Sequence, residues 1–135
     1  MDDRVQLLQL HLPAPDDELV RLGRFDVVVS NATLHHLVDP GVLWLTVRAV
    51  AQSGAVVHVV DLRRPDDDGT VDALTSVHAS GEPRVLVEDF RASLRAAYRV
   101  DEVREQLRTS RLADALVVEA IGDRHLVVTG TVANQ

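Results

Sequence analysis

Two adjacent histidines and one aspartate are the side chains of this sequence best suited to acid–base chemistry. His35 and His36 follow an apolar run, and Asp61 stands at the end of another. A histidine can exchange a proton near neutral pH, and a carboxylate can orient a substrate or take a proton. We name these three residues as candidate catalytic residues. The structural alternatives are a loop role for the histidines and, for Asp61, a cap or an ion pair with Arg63 or Arg64.

Other site chemistries are disfavoured by the residue types present. The chain has no cysteine, which excludes disulfides, thiolate metal sites and cysteine nucleophiles. Neighbouring residues on a helix or strand do not face one ligand together, so we expect no metal site at the histidine pair. The acidic run at residues 66–68 favours a solvated turn over a cation site.

Length and composition favour one globular domain over residues 1–135. Hydrophobic residues make up 46% of the chain, which is enough for a packed core. The net charge of −7 and an aromatic content of 3% disfavour nucleic-acid and anionic-lipid partners. The first residues lack the pattern of a signal peptide, and no stretch approaches the roughly 20 apolar residues of a membrane span. We therefore expect a cytoplasmic protein that binds neither nucleic acid nor membranes.

The elements that must position these side chains alternate between strands and helices. The apolar pattern predicts strands at residues 5–12, 25–30, 55–62, 116–121 and 126–131. Helical spacing is found at residues 16–22, 39–51, 71–79, 90–98 and 100–107. The unbroken valines 27–29 favour a strand covered on both faces, and Val56, Val57, Val59 and Val60 are the expected core of the next strand. This order predicts an α/β sheet that ends in an antiparallel hairpin around Gly122.

Several local sequences occur here in a characteristic order. They are FDVVVSNATLHHL at residues 25–37, Asp39-Pro40, Gly54, VVHVVDLRRP at residues 56–65, Glu82-Pro83, Asp89-Phe90, Ser93-Leu94, Ala96-Ala97-Tyr98 and Asp123-Arg124-His125-Leu126. Together they resemble the class I S-adenosylmethionine-dependent methyltransferases over about residues 5–130. The resemblance implies a truncated Rossmann-like methyltransferase sheet, mostly parallel with a C-terminal antiparallel hairpin. It also implies methyl transfer to a small molecule. Tyr98 and His125 come from the same resemblance, and Tyr98 is expected in the core with a hydrogen-bonded hydroxyl.

The resemblance also implies a cofactor site that this sequence carries only in part. By resemblance, Ser30, Asn31 and Ala32 would line S-adenosylmethionine, and His11 stands near the place of an acidic residue beside the adenine. The family's glycine-rich turn and its ribose-binding acidic residue are missing, because the sequence starts at what resembles the third strand. We expect cofactor binding only if another chain or a dimer supplies the missing strands.

The strand at residues 25–30 would then lack its neighbour, which leaves an aggregation-prone edge. Either residues 5–12 shift into the vacancy through the connection 13–24, or a homodimer or partner polypeptide covers the edge. Two functional hypotheses follow. The chain is a small-molecule methyltransferase or part of one, incomplete in isolation, or it is a non-catalytic regulatory or scaffolding subunit or inactive remnant derived from one.

Overall fold

Helices and strands begin and end close to the polar and glycine breaks of the sequence. The computed structural model describes residues 4–133. In chain order these form α1 (Asp16–Leu22), β1 (Phe25–Asn31), a 3₁₀ turn (Leu34–His36), α2 (Gly41–Val50), β2 (Ala51–Leu62), α3 (Asp68–His78), α4 (Arg84–Ala96), α5 (Val100–Thr109), β3 (Leu116–Ile121) and β4 (His125–Val132). The α/β prediction is confirmed.

Four strands of the described residues form one mixed sheet in the order β1-β2-β4-β3. β1 runs parallel to β2, whereas β4 is antiparallel to both β2 and β3. The predicted C-terminal hairpin is therefore confirmed. The expectation of a mostly parallel sheet is wrong, because one of these three strand pairs is parallel.

Residues 5–12 do not form the predicted strand. They have no regular secondary structure, and the side chains of Val5, Leu7 and Leu8 are exposed. An alternating apolar pattern stabilises a strand only where one face can be buried, and this segment finds no such face. The proposed shift of residues 5–12 into the place beside β1 is therefore wrong, and β1 lies at the edge of the sheet.

The main core lies on one face of the sheet, beneath α2 and α5. Side chains that are almost fully buried alternate along β2, and they pack against apolar residues of both helices and of β4: Trp44, Val47, Val57, Val59, Val103, Leu107, Leu126 and Val128. A smaller cluster joins α3 to α4. This packing holds the ends of β1 and β2 in a fixed position.

The opposite face of the sheet is largely uncovered by the described residues. Five side chains on it form what we call the valine face, and they are between 40% and 70% exposed: Val27, Val29, Val56, Val117 and Ile121. The expectation that residues 27–29 are covered on both faces is wrong, as is the placement of Val56 in the core. Strand side chains alternate between faces, so only every second residue reaches the helices.

Several boundaries differ from the sequence pattern. α2 ends at Val50 and β2 begins at once, so Ala51 lies in the strand and not in the predicted helix 39–51. Gly130 in β4 has a φ of +155°, and a Cβ there would lie 2.0 Å from the backbone oxygen of Ala115. Only glycine fits this close approach. None of the helices within residues 4–133 is long and apolar enough to cross a membrane.

Candidate functional site

The candidate site lies where β1 and β2 end side by side. Because the two strands are parallel, their carboxyl ends meet at one edge of the sheet, with Asn31 paired to Val60. Ala32 then takes a left-handed conformation, with a φ of 57°, and its N–H donates to the oxygen of Val60 at 3.0 Å. The 3₁₀ turn that follows carries His35 back over the end of β2.

Asp61 is the buried carboxylate at this edge. It is 1% exposed, and its Oδ1 lies 2.6 Å from Nδ1 of His35. The backbone N–H of Leu34 donates to Oδ2 at 2.7 Å, and the N–H of Leu62 donates to Oδ1 at 2.9 Å. A buried carboxylate requires such donors, since an unpaired buried charge is costly. The pair therefore fastens the turn after β1 to the end of β2.

The ion pair with Arg63 or Arg64, one of the structural alternatives for Asp61, is not formed. Arg63 donates instead to the backbone oxygen of His125, and Arg64 pairs with Glu102 at 2.7 Å. The parallel register of β1 and β2 instead places His35 beside the buried carboxylate. Asp61 thus faces the turn, and both arginines reach neighbouring elements.

A pocket of about 440 Å³ opens beside this pair. Its lining comes from the end of β1, the 3₁₀ turn, the end of β2, α4 and the β3–β4 hairpin: Asn31, Ala32, His35, His36, Asp61, Leu62, Leu86, Asp89, Phe90, Ser93, Arg124 and His125. The structure thus brings all three candidate catalytic residues to one pocket. Open α/β sheets bind ligands at this edge, outside the carboxyl ends of the strands.

The two histidines have different surroundings in this pocket. His35 is buried, whereas His36 is exposed, and their ring centroids are 4.0 Å apart. His35 has an oriented ring because Asp61 holds its Nδ1. The ring of His36 has no such hydrogen bond among the described residues, which makes His35 the better-positioned acid–base group.

Sequence reasoning gave no site role to Arg124 or to the residues of α4 that line the pocket. His125 pairs with Leu62 in the β2–β4 ladder, so the register of that ladder is the signal that places it at this edge. Burial lowers the pKa of His125, and the positive charge of Arg124 lowers it further. Nothing in the sequence fixes how α4 lies over the pocket.

Tyr98 lies outside the pocket lining and has a structural contact. Its hydroxyl donates to the backbone oxygen of Leu37 at 2.7 Å, as expected for a hydrogen-bonded tyrosine in the core. Burial raises the pKa of Tyr98, and the charges of Glu102 and Asp39 add to this effect. Of the acidic run 66–68, Asp67 caps α3 by accepting from the N–H of Thr70 at 2.7 Å. Hydrogen bonds to Thr70 hold the pKa of Asp67 below its usual value.

Two of the four cofactor candidates line the pocket. Asn31 and Ala32 do so, whereas Ser30 pairs with Val59 further back in the sheet and His11 is exposed within the irregular N-terminal segment. These residues make part of one wall and do not fit a whole S-adenosylmethionine molecule by themselves. No group of three or more histidine, aspartate or glutamate side chains in residues 4–133 could hold a metal ion.

A larger pocket, of about 590 Å³, lies at the amino end of β2 and includes Arg24 and Arg48. Arg24 donates to the oxygen of Ala51 at 3.0 Å, and Arg48 donates to that of Ser110 at 3.1 Å. These arginines tie backbone segments together, and none of the candidate catalytic residues lies there. We therefore take the smaller pocket as the candidate functional site.

Comparison with solved structures identifies proteins of similar fold. No family model and no curated protein matches the sequence. Among solved structures, the chain is similar to a SAM-dependent methyltransferase from Aquifex aeolicus, with a TM-score of 0.50 and 17% identity over 82% of this chain and 47% of that one. It is also similar to an O-methyltransferase family protein from Burkholderia thailandensis, with a TM-score of 0.56 and 14% identity over 90% and 34%.

The fold is thus that of class I S-adenosylmethionine-dependent methyltransferases, as the sequence resemblance predicted. The chain spans about half of the length of the first of these proteins and about a third of the second.

Proposed function

We propose that this chain is the acceptor-side part of an S-adenosylmethionine-dependent methyltransferase that acts on a small molecule. The observation that carries the proposal is the His35–Asp61 pair, buried at the pocket where the parallel strands end. The likeness to methyltransferase structures supports the reaction class. The acceptor would lie in the pocket among His35, Phe90 and Ser93. The sequence composition supports a cytoplasmic setting.

The cofactor would supply an activated methyl group, and this chain would form only part of its site. Asn31 and Ala32 would contribute to one wall, and a second polypeptide would contribute the rest. The edge of β1 and the valine face are where that polypeptide would bind. Val29 belongs to both surfaces, since it lies in the edge strand and on the uncovered face, and it is 70% exposed.

A homodimer and a different partner chain would cover these surfaces unequally. Two copies joined along β1 by a two-fold axis would extend the sheet and leave both valine faces exposed. Two copies stacked through the valine faces would leave both β1 edges open. One polypeptide that adds a strand along β1 and lays a helix on the valine face would cover both, and for this reason we favour a partner chain.

Methyl transfer by the assembled form tests the proposal. Tagged chain would be recovered from its source cells under mild conditions and given tritiated S-adenosylmethionine and a small-molecule extract of those cells. We expect label in a small molecule, with a loss of at least tenfold for His35→Gln and little change for His36→Gln. An assembled form that binds the cofactor and labels nothing would contradict the proposal.

The second candidate is a non-catalytic regulatory or scaffolding subunit derived from such an enzyme. The observation that favours it is that Ser30 and His11 do not line the pocket, which leaves Asn31 and Ala32 as the cofactor candidates at the site. A tight complex that binds no S-adenosylmethionine in equilibrium dialysis would support this candidate over the enzyme.

A further inference from the structure

We infer that, before any partner chain binds, the edge of β1 is covered by residues 5–12 of a second copy, and that two copies exchange these segments reciprocally. We call residues 5–12 the arm. The inference goes beyond the proposed function and does not depend on methyl transfer. The partner polypeptide proposed above would have to displace the arm from β1.

The arm has the pattern of a strand without the neighbour that a strand needs. Its sequence is VQLLQLHL, in which five of the eight residues are apolar. The structure gives it no regular secondary structure, and the side chains of Leu7 and Leu8 are 73% and 57% exposed. Exposed apolar side chains that lie close together favour association. The arm therefore carries the composition of a strand to a surface where it can bind elsewhere.

The matching surface is the open side of β1. This strand pairs with β2 on one side, and none of the strands in residues 4–133 lies on its other side. The unpaired N–H and C=O groups of such an edge bind an added strand. Phe25 and Val27 of β1 are 47% and 58% exposed, and Val29 is exposed further still. An apolar arm that adds to this edge gains hydrogen bonds and covers side chains of both segments.

The connection between the arm and β1 keeps the arm away from the β1 of its own copy. α1 lies in this connection and packs on α2, with Leu19 buried. A parallel pairing within one copy would require the chain to cross back through residues 13–24, and the structure does not contain this pairing. A second copy is free of that connection and can bring its arm to β1 in either direction.

Reciprocal exchange about a two-fold axis covers both arms and both edges at once, and it closes without further growth. Each of the two contacts joins three exposed side chains of the arm to three of β1: Val5, Leu7, Leu8, Phe25, Val27 and Val29. At about 60 to 120 Å² for each side chain, the two contacts cover on the order of 1,000 Å². Stable complexes bury about 1,200 Å² or more, so this dimer would be weak enough for a partner chain to displace.

Other arrangements of two copies leave the arms exposed. Neither joining two β1 edges directly nor stacking two valine faces covers residues 5–12. In an extended arm, side chains alternate between the two faces, so Val5 and Leu7 share a face with Gln9. This mixed row suits the valine face, part of which stays in contact with water. We therefore expect Leu7 of one copy to lie beside Val29 of the other.

Sedimentation of the full-length chain gives the first test. We expect the wild-type chain to form dimers, and Leu7→Lys to raise the dimer dissociation constant by about tenfold or more, because it brings a charge against apolar side chains. Leu7 is exposed in an irregular segment, so this change should leave the fold intact. The matched control is Val20→Lys, at a side chain that is 78% exposed in α1, outside the arm and β1. It should keep the wild-type constant.

Disulfide formation between different chains identifies the contact itself. The sequence has no cysteine, so introduced cysteines report only the contact chosen. A nitrogen-15-labelled Leu7→Cys chain would be mixed with an unlabelled Val29→Cys chain and oxidised mildly. We expect mass spectrometry to find the peptide that joins labelled residue 7 to unlabelled residue 29. Its yield should be roughly tenfold above that obtained with Val38→Cys in place of Val29→Cys, because a disulfide needs Cβ atoms about 4 Å apart.

Several results would overturn the inference. They are a wild-type chain that stays monomeric at every concentration, a dimer that Leu7→Lys does not weaken, and equal disulfide yields at positions 29 and 38. Links between two Val29→Cys chains in place of the mixed link would also overturn it, since they indicate that two β1 edges meet directly. None of these results bears on methyl transfer by the assembled form, so the proposed function is tested separately.

Discussion

The Oδ1 atom of Asp61 lies 2.6 Å from the Nδ1 atom of His35, and this contact joins two residues that are 26 positions apart. It connects the turn after β1 to the end of β2, and the same carboxylate accepts from the backbone N–H of Leu34. One buried side chain therefore fixes both the shape of the turn and the orientation of the histidine ring.

Replacing Asp61 by alanine should destabilise the protein by about 3 kcal/mol, because buried N–H donors lose their acceptor. Urea unfolding followed by the fluorescence of Trp44, the one tryptophan of the sequence, measures this change. The control is Asp66→Ala, at an exposed carboxylate in the turn after β2, which should shift the free energy of unfolding by less than about 0.5 kcal/mol. Equal stabilities of the two variants would show that Asp61 does not anchor the turn.

A charge on the valine face should keep isolated chains apart. We expect the purified wild-type chain to self-associate at high concentration, since edge strands and exposed apolar patches promote association. Val29→Lys should shift the sedimentation profile toward the monomer. The matched control is Val38→Lys, because Val38 is fully exposed in the loop before α2 and should leave the profile unchanged. A wild-type chain that stays monomeric at every concentration would contradict this prediction.

The titration of His125 should occur below the ordinary value of 6.5, because burial lowers its pKa and Arg124 lowers it further. In the folded protein the neutral ring is favoured, so this contribution to stability is present above about pH 6.5 and decreases as the pH falls below it. NMR titration of the ring protons measures the pKa directly. Arg124→Gln should raise the pKa, and an unchanged or lower value would show that the arginine has no influence.

The hydrogen bond from Nε1 of Trp44 to Oε1 of Gln106, at 2.9 Å, should contribute to the packing of α2 on α5. Gln106→Ala leaves the indole N–H without this acceptor, and we expect a loss of about 1 to 2 kcal/mol. Urea unfolding at neutral pH gives the value, with the exposed Gln52→Ala as a control near zero. A loss no larger than that of the control would mean that water replaces the amide.

Local patterns were sufficient for much of the sheet and for selecting His35, His36 and Asp61, which the structure places at one pocket. The valine run of β1 and the two apolar runs around Gly122 each predicted a strand that the structure contains. Residues 5–12 carry an equally apolar pattern and stay irregular, because a strand needs a partner edge as well as a pattern. Patterns of this kind do not report whether such an edge is available.

The geometry of the site depends on long-range pairing, which local patterns do not contain. Sequence reasoning selected His35 and Asp61 separately as catalytic candidates, and its structural alternatives for Asp61 were a cap or an ion pair with Arg63 or Arg64. The actual partner follows from the parallel register of β1 and β2, which aligns Asn31 with Val60 and so places the 3₁₀ turn beside Asp61. His125 reaches the pocket through the β2–β4 register in the same way.

Calorimetric titration of the isolated chain with S-adenosylmethionine tests most directly whether this chain supplies only one side of a methyltransferase site. The experiment would use the monomeric Val29→Lys variant beside the wild-type chain. We predict no binding by the monomer even at millimolar cofactor, because Asn31 and Ala32 form only part of one wall. One-to-one binding by the monomer with micromolar affinity would contradict the account.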